Sequence, residues 1–261
     1  MAQIIAIVNQ KGGVGKTTTA INLGAQLATN GASVLLVDFD PQANATAGLG
    51  ANRAILKTSI YDALTGRLSM QSIIVPSRVD RLSLAPGSMD LAGATVELVT
   101  VERREYKLKE ALDQVRNSYD YILIDCPPSL GLLVINALVA ADSVLIPVQA
   151  EYFALEGMGQ LISIIQLVKQ GLNPSLELLG AIITMFSGNQ KLSQEVLGEL
   201  YRYFPRKIFR VVVPRTVKLA EAPSVGKTVF EHAPNSKGAK AYVHLAMEIT
   251  SFNSAFNEIK P

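Results

Sequence analysis

Cysteine is almost missing from this chain: Cys126 is the only one in 261 residues. One thiol cannot form an internal disulfide. With only two histidines, His232 and His244, there is no repeated Cys/His spacing for a structural zinc site. Long apolar runs are also lacking. The longest stretch, LLVINALVAADSVLIPV (132 to 148), is broken by Asn136, Asp142 and Pro147, so it reads as a buried helix followed by a buried strand rather than a membrane span. MAQIIAIVNQ has no basic n-region and no cleavable apolar segment, and a cytoplasmic protein is expected. Net charge is only +2, so any polyanion binding must come from a local patch. No repeat or low-complexity linker divides the chain. With 49% of residues apolar, one domain over residues 1–261 is expected.

What is present is an alternation of strand and helix. QIIAIVN (3 to 9) is a short β-branched apolar run suited to a parallel strand covered on both faces. Ala20, Leu23 and Leu27 then recur at helical spacing up to about Thr29, with Gly31 as a stop, before SVLLVDFD (33 to 40) forms a second buried strand. Further strands are expected at YDYILIDCPPS (119 to 129), SVLIPVQA (143 to 150), LELLGAIITMF (176 to 186) and IFRVVVPR (208 to 215). Helices are expected over 103 to 116, 155 to 170, 192 to 203 and 237 to 250. This order predicts an α/β fold: a doubly wound, mostly parallel sheet with helices on both faces and a ligand beyond the carboxyl ends of the strands.

The first crossover carries QKGGVGKTTT (10 to 19). Gly12, Gly13 and Gly15 let backbone N–H groups turn around phosphate oxygens, and a helix starting near Lys16 aims its positive dipole end at the same place. Lys16 supplies a charge to the β and γ phosphates and Thr17 a hydroxyl to Mg²⁺. Gly12, Gly13, Val14, Gly15, Lys16, Thr17 and Thr18 therefore form the expected ATP-binding segment. Two features depart from the usual loop. Gln10 stands where a glycine is common, and a second lysine, Lys11, follows it. Two strand ends bring acids to the same rim. Asp125 closes an apolar strand as a Mg²⁺ ligand would, directly or through water, while Asp40 lies on a turn from which it could orient an attacking water. Asp38 either adds a carboxylate to the rim or caps a turn. Cys126, without a nearby catalytic partner in sequence, reads as a small buried residue, and both histidines read as structural or surface residues.

The KGGxGKT loop with its early lysine resembles the deviant Walker-A P-loop ATPases, which include ParA/Soj, MinD and the nitrogenase iron protein. VDFDPQANAT, ILIDCPPSLGLL, QAEYFALEG and VPRTVKLAEAPSVGK look most like the chromosomal ParA/Soj partition proteins, over residues 1 to about 250. The resemblance implies a sandwich homodimer in which Lys11 reaches the phosphates of the partner's ATP. It assigns water activation to Asp40, the magnesium shell to Asp125, and the adenine side to Pro214 and Thr216, where many relatives carry Asn in place of the threonine. It also implies nonspecific binding of double-stranded DNA by the dimer, a nucleoid location, and a ParB-like centromere-binding activator. SGNQKLSQEV (187 to 196) departs from the family pattern.

Between residues 202 and 227 lie seven basic residues, Arg202, Arg206, Lys207, Arg210, Arg215, Lys218 and Lys227, and one acid, Glu221. Such a local excess suits phosphate contacts without base readout. The alternatives are a MinD-like positioning ATPase, which would need a basic amphipathic C-terminal helix that SFNSAFNEIKP does not supply, and a metabolic P-loop phosphotransferase. A cluster-bearing iron protein would need more thiols than one per subunit.

Overall fold

The computed structural model describes residues 1–52, 55–149, 157–187, 198 and 200–257. Eight strands form one sheet: β1 Gln3–Ile7, β2 Val34–Asp38, β3 Val75–Pro76, β4 Leu82–Ala85, β5 Tyr121–Asp125, β6 Ser143–Gln149, β7 Glu177–Phe186 and β8 Ile208–Pro214. Their spatial order is β3-β4-β2-β5-β1-β6-β7-β8, and every pairing is parallel except β3 with β4. The chain leaves β1 toward β2 on one side, while β5 feeds β6 on the other side of β1. The winding thus reverses at β1, where an open α/β sheet leaves a crevice for ligand.

Among the described residues the helices are α1 Lys16–Thr29, α2 Asn44–Gly48, α3 Ile60–Leu64, α4 Met70–Ile73, α5 Leu91–Glu97, α6 Lys107–Asp113, α7 Leu132–Ala140, α8 Met158–Gly171, α9 Val217–Ser224, α10 Val229–His232 and α11 Lys237–Asn257. Successive strand residues face opposite sides and so build two cores. Ile4, Ala6, Val37 and Ile124 pack with Leu108, Leu133 and Leu161 of α6, α7 and α8. Ile5, Ile7, Leu36 and Leu123 pack with Leu23 and Leu27 of α1 and Tyr242 and Leu245 of α11. Burying both faces explains the near-continuous apolar strands.

All six expected strands form, and the first crossover helix spans residues 16–29 as read from sequence. The helix expected over 103 to 116 is shorter, with 3₁₀ turns at Arg104–Tyr106 and Arg116–Ser118 flanking α6. The helix expected over 192 to 203 falls mostly outside the described residues, as do most of QAEYFALEG and of SGNQKLSQEV. β3 and β4 were not expected. LSLA offers only four residues with a serine among them, too few for a periodic signal, and it is recruited because β2 leaves an open edge.

Candidate nucleotide site

β1 ends in a loop held from three directions. Asn9 donates from Nδ2 to the Pro147 carbonyl on β6 (2.8 Å) and accepts the Lys11 N–H at its Oδ1 (3.0 Å). Thr184 on β7 donates its hydroxyl to the Val14 carbonyl at 2.7 Å. Neither residue was singled out in the sequence, because an Asn ending a strand and a Thr within IITMF carry no motif. Gln10 lies against Gly157 at the start of α8, where φ is +80° and a Cβ would collide with the Gln10 amide. The residue replacing the usual glycine is thus a packing contact to the next layer.

Gly13 and Gly15 have φ of +75° and +92°, left-handed values that a side chain would strain. A Cβ on Gly13 would meet only open space, so the loop's hollow is unfilled by protein. Gly15 caps α1 with no side-chain hydrogen bond, leaving the first N–H groups of a 14-residue helix for a ligand's oxygens. Lys16, 6% exposed, bends its Nζ back to the Lys11 carbonyl at 3.0 Å. Burial lowers its pKa, and the nearby Asp125, Cys126 and Asp40 oppose that shift. This donor set fits a polyphosphate.

The parallel register sets Asp38 beside Asp125 at the rim. Both oxygens of Asp125 are buried without a hydrogen-bond partner among the described residues. The Thr17 hydroxyl is close enough to favour the charged form, though not in hydrogen-bond geometry. Burial first, then the Asp38 charge, push the Asp125 pKa well above the usual carboxylate range. An orphaned buried carboxylate beside a hydroxyl fits a Mg²⁺ site. Asp38 combines its two open alternatives. Its Oδ2 accepts both the N–H and the hydroxyl of Thr46, each at 2.6 Å, at the start of α2, while its Oδ1 is buried at the rim without a hydrogen-bond partner among the described residues. Asp40 accepts the Gln42 N–H at Oδ1 (2.9 Å), and its Oδ2 accepts no hydrogen bond among the described residues. Cys126 is buried, and its thiol pKa is pushed up by burial and by Asp125, as an inert residue requires.

Burial also raises the Asp38 pKa, to about 6. A carboxyl with a raised folded pKa favours the native state below the unfolded value near 3.8 and loses that contribution as pH climbs through about 6. Asp38→Asn, which keeps an acceptor for Thr46, should therefore stabilise the ligand-free protein at pH 7.5 by up to about 3 kcal/mol. The gain should shrink toward zero near pH 4. Urea unfolding at both pH values checks this, and no gain at pH 7.5 would contradict it.

Pro214 and Thr216 line a cavity of about 260 Å³ together with Thr18, Thr184, Met185 and Leu219. It adjoins the phosphate loop through Gly15. Met185 stands at a left-handed φ of 51° there. The Thr216 hydroxyl is already engaged, accepting the Lys218 N–H as the cap of α9.

The basic residues form a strip rather than one cluster. Arg202, Arg206 and Lys207 precede β8, Arg210 lies within it, and Arg215 and Lys218 follow it. Seven strand residues span about 20 Å along this outermost strand of the sheet. All seven basic side chains are exposed. Lys218 is not a free cation: it pairs with Glu221 at 2.8 Å, and Glu221 also meets His232. Lys227 lies off the strip, next to the Gly226–Gly50 contact. Lys237, Lys240 and His244 on α11 share a groove with Arg210, a grouping invisible in sequence because it joins helix to strand.

This phosphate loop at the reversal point of a doubly wound sheet defines a P-loop nucleotide-binding fold of the MinD/ParA kind. The family described as an AAA domain matches residues 2–178. The Soj sporulation initiation inhibitor of Bacillus subtilis is 51% identical over 251 residues, covering 96% of this chain and 99% of that protein. The chromosome partitioning protein ParA of Myxococcus xanthus is 50% identical over 249 residues, covering 95% and 88%. The chain belongs to the Soj/ParA family of chromosome-partitioning ATPases. Among solved structures, cobyrinic acid a,c-diamide synthase from Mycobacterium smegmatis, with bound ATP analog and magnesium, superposes with a TM-score of 0.84 at 37% identity, covering 95% of this chain and 93% of that one. The cell division ATPase MinD of Pyrococcus furiosus gives 0.78 at 27%, covering 97% and 100%. No helix among the described residues is long and apolar enough to cross a membrane.

Proposed function

We propose that the protein is an ATP-driven DNA partition switch working as one domain. ATP closes two copies face to face, and the closed pair holds double-stranded DNA without reading its sequence. Hydrolysis, stimulated by a ParB-like centromere-binding protein, releases it, so the protein works in the cytoplasm on the nucleoid. One observation carries this reading. Lys16 is tied to its own loop through the Lys11 carbonyl, whereas the Lys11 ammonium has no partner among the described residues. A cation at the rim of a phosphate site, unused within its own subunit, suits phosphates presented by a second one.

The roles then follow from position. The loop amides of Gly12 through Thr18 and the Lys16 ammonium hold the phosphates, and the cavity at Pro214 and Thr216 takes the adenine. Thr17 and Asp125 would hold a magnesium ion, which would supply neutralising charge at the phosphates. Asp40 turns its free Oδ2 toward an attacking water. Arg202, Arg206, Lys207, Arg210, Arg215, Lys218 and Lys227 contact DNA phosphates, and Lys237 and Lys240 extend that surface. A metabolic phosphotransferase remains the second reading, because one structural relative is named as a diamide synthase. Hydrolysis stimulated by DNA, with no small acceptor, separates the two.

Lys11→Ala should bind ATP as a monomer, because Lys16 and the loop amides remain. It should dimerise poorly and hydrolyse at least about tenfold more slowly. Sedimentation with ATP alongside a turnover assay tests this. A normal ATP-dependent dimer with normal turnover would mean that Lys11 is an ordinary solvated lysine.

A further inference from the structure

The turn carrying Asp40 is pinned by the last residue of VDFDPQANAT, Thr46, whose side chain has been given no role in hydrolysis so far. Thr46 is fully buried on α2, and its hydroxyl is used in both directions. It donates to Asp38 Oδ2 at 2.6 Å and accepts the Gly87 N–H at 2.9 Å. One oxygen thereby ties together the end of β2, the start of α2 and the loop that follows β4. The approach is close. A Cβ on Gly87 would lie 2.8 Å from the Asp38 carboxyl carbon and 2.9 Å from its backbone oxygen, so this loop can press on Asp38 only as glycine.

Between these fixed ends runs the short turn from Asp40 to Ala43. The Ala43 N–H donates to the Asp40 carbonyl at 2.8 Å, and Ala43 itself takes a left-handed φ of 50°. A non-glycine residue holds that conformation only where its surroundings impose it. The Phe39 N–H, donating to the Asp125 carbonyl at 2.9 Å, holds the turn on its β2 side, and the Thr46 bonds hold it on the α2 side.

We propose that Thr46 is a positioning residue for ATP hydrolysis, clamping Asp38 to Gly87 so that the turn between them keeps Asp40 Oδ2 aimed at the attacking water. This rests on the assignment of Asp40 given above. Because the hydroxyl acts as donor and acceptor at once, serine can replace it and valine, nearly equal in shape, cannot. Misplacing a reacting group by about an ångström can cost on the order of a hundredfold in rate.

The test compares Thr46→Val, Thr46→Ser and Asp40→Ala, alone and with Thr46→Val added to Asp40→Ala, by turnover, KM for ATP and thermal midpoint. Thr46→Val should lower kcat by between about tenfold and a hundredfold with KM little changed, while Thr46→Ser keeps most of the native rate. In the Asp40→Ala background, adding Thr46→Val should leave the residual single-turnover rate unaltered, because the clamp acts through Asp40. If Thr46→Val does not fold, Thr46→Ala removes the same hydroxyl with less crowding and carries the same expectation. Native kcat in Thr46→Val, or a Thr46→Ser variant as impaired as Thr46→Val, would overturn the clamp. So would a further loss when the two changes are combined. Native turnover in Asp40→Ala would overturn the Asp40 assignment itself, a failure distinct from that of the clamp.

Discussion

Asp40→Ala is expected to bind ATP almost as well as the native protein and to hydrolyse it at least about a hundredfold more slowly. In the proposed site the loop amides and Lys16 would hold the phosphates and Thr17 and Asp125 the cation, and no hydrogen bond among the described residues joins any of these groups to the Asp40 side chain. Asp40 sits past the end of β2 with one carboxylate oxygen accepting the Gln42 N–H and the other without a hydrogen bond among the described residues. Its removal therefore deletes a transition-state contact and leaves the ground-state ones. The variant should accumulate as an ATP-bound dimer. Unchanged steady-state turnover would rule out Asp40 as the group that orients water.

Lys16→Ala should fail one step earlier. Lys16 is held inside the loop by burial despite the cost to its charge, an arrangement that makes sense only if an anion arrives beside it. Truncating one partner of a buried charge pair costs on the order of 3 to 4 kcal/mol, so ATP affinity should fall by two to three orders of magnitude. Circular dichroism should show a native fold, because the sheet and both cores do not involve this side chain. Calorimetry giving native ATP affinity would contradict the phosphate role.

Much of this architecture was legible because two-sided burial writes an unmistakable pattern. Strands such as YILID and VLLVD are apolar throughout up to a terminal acid, and that acid marks the end of the sheet where ligand sits. The glycines and lysines of the loop were equally plain, since few other uses call for them together. What escaped was whatever depends on meetings across the chain. β4 is specified by the open edge of β2, not by its own four residues. The short helices α2 to α5 lack the two turns that a 3.6-residue period needs to show. Thr184 and Thr46 act through single hydroxyls whose partners lie 170 and 41 residues away. Sequence left open whether Asp38 adds a carboxylate to the rim or caps a turn, and the fold gives it both features: Oδ2 is bonded to Thr46 and Oδ1 is buried without a partner among the described residues. The basic stretch was visible as charge, but its layout along β8, the capture of Lys218 by Glu221 and the contribution of α11 were set by the fold.

The most direct measurement is duplex DNA affinity with ADP and with a non-hydrolysable ATP analogue, across salt, with sizing of each state. Pairing two subunits should bring about 6 phosphates into contact, giving a log–log salt slope near −5 and roughly a thousandfold loss between 50 and 200 mM salt. The expected result is tight, sequence-independent binding by the analogue-bound dimer and weak binding by the ADP-bound monomer, with Arg210→Glu plus Arg215→Glu abolishing the former while leaving the dimer intact. Equal DNA affinity in the two nucleotide states would contradict a switch in which ATP-driven pairing attaches the protein to DNA.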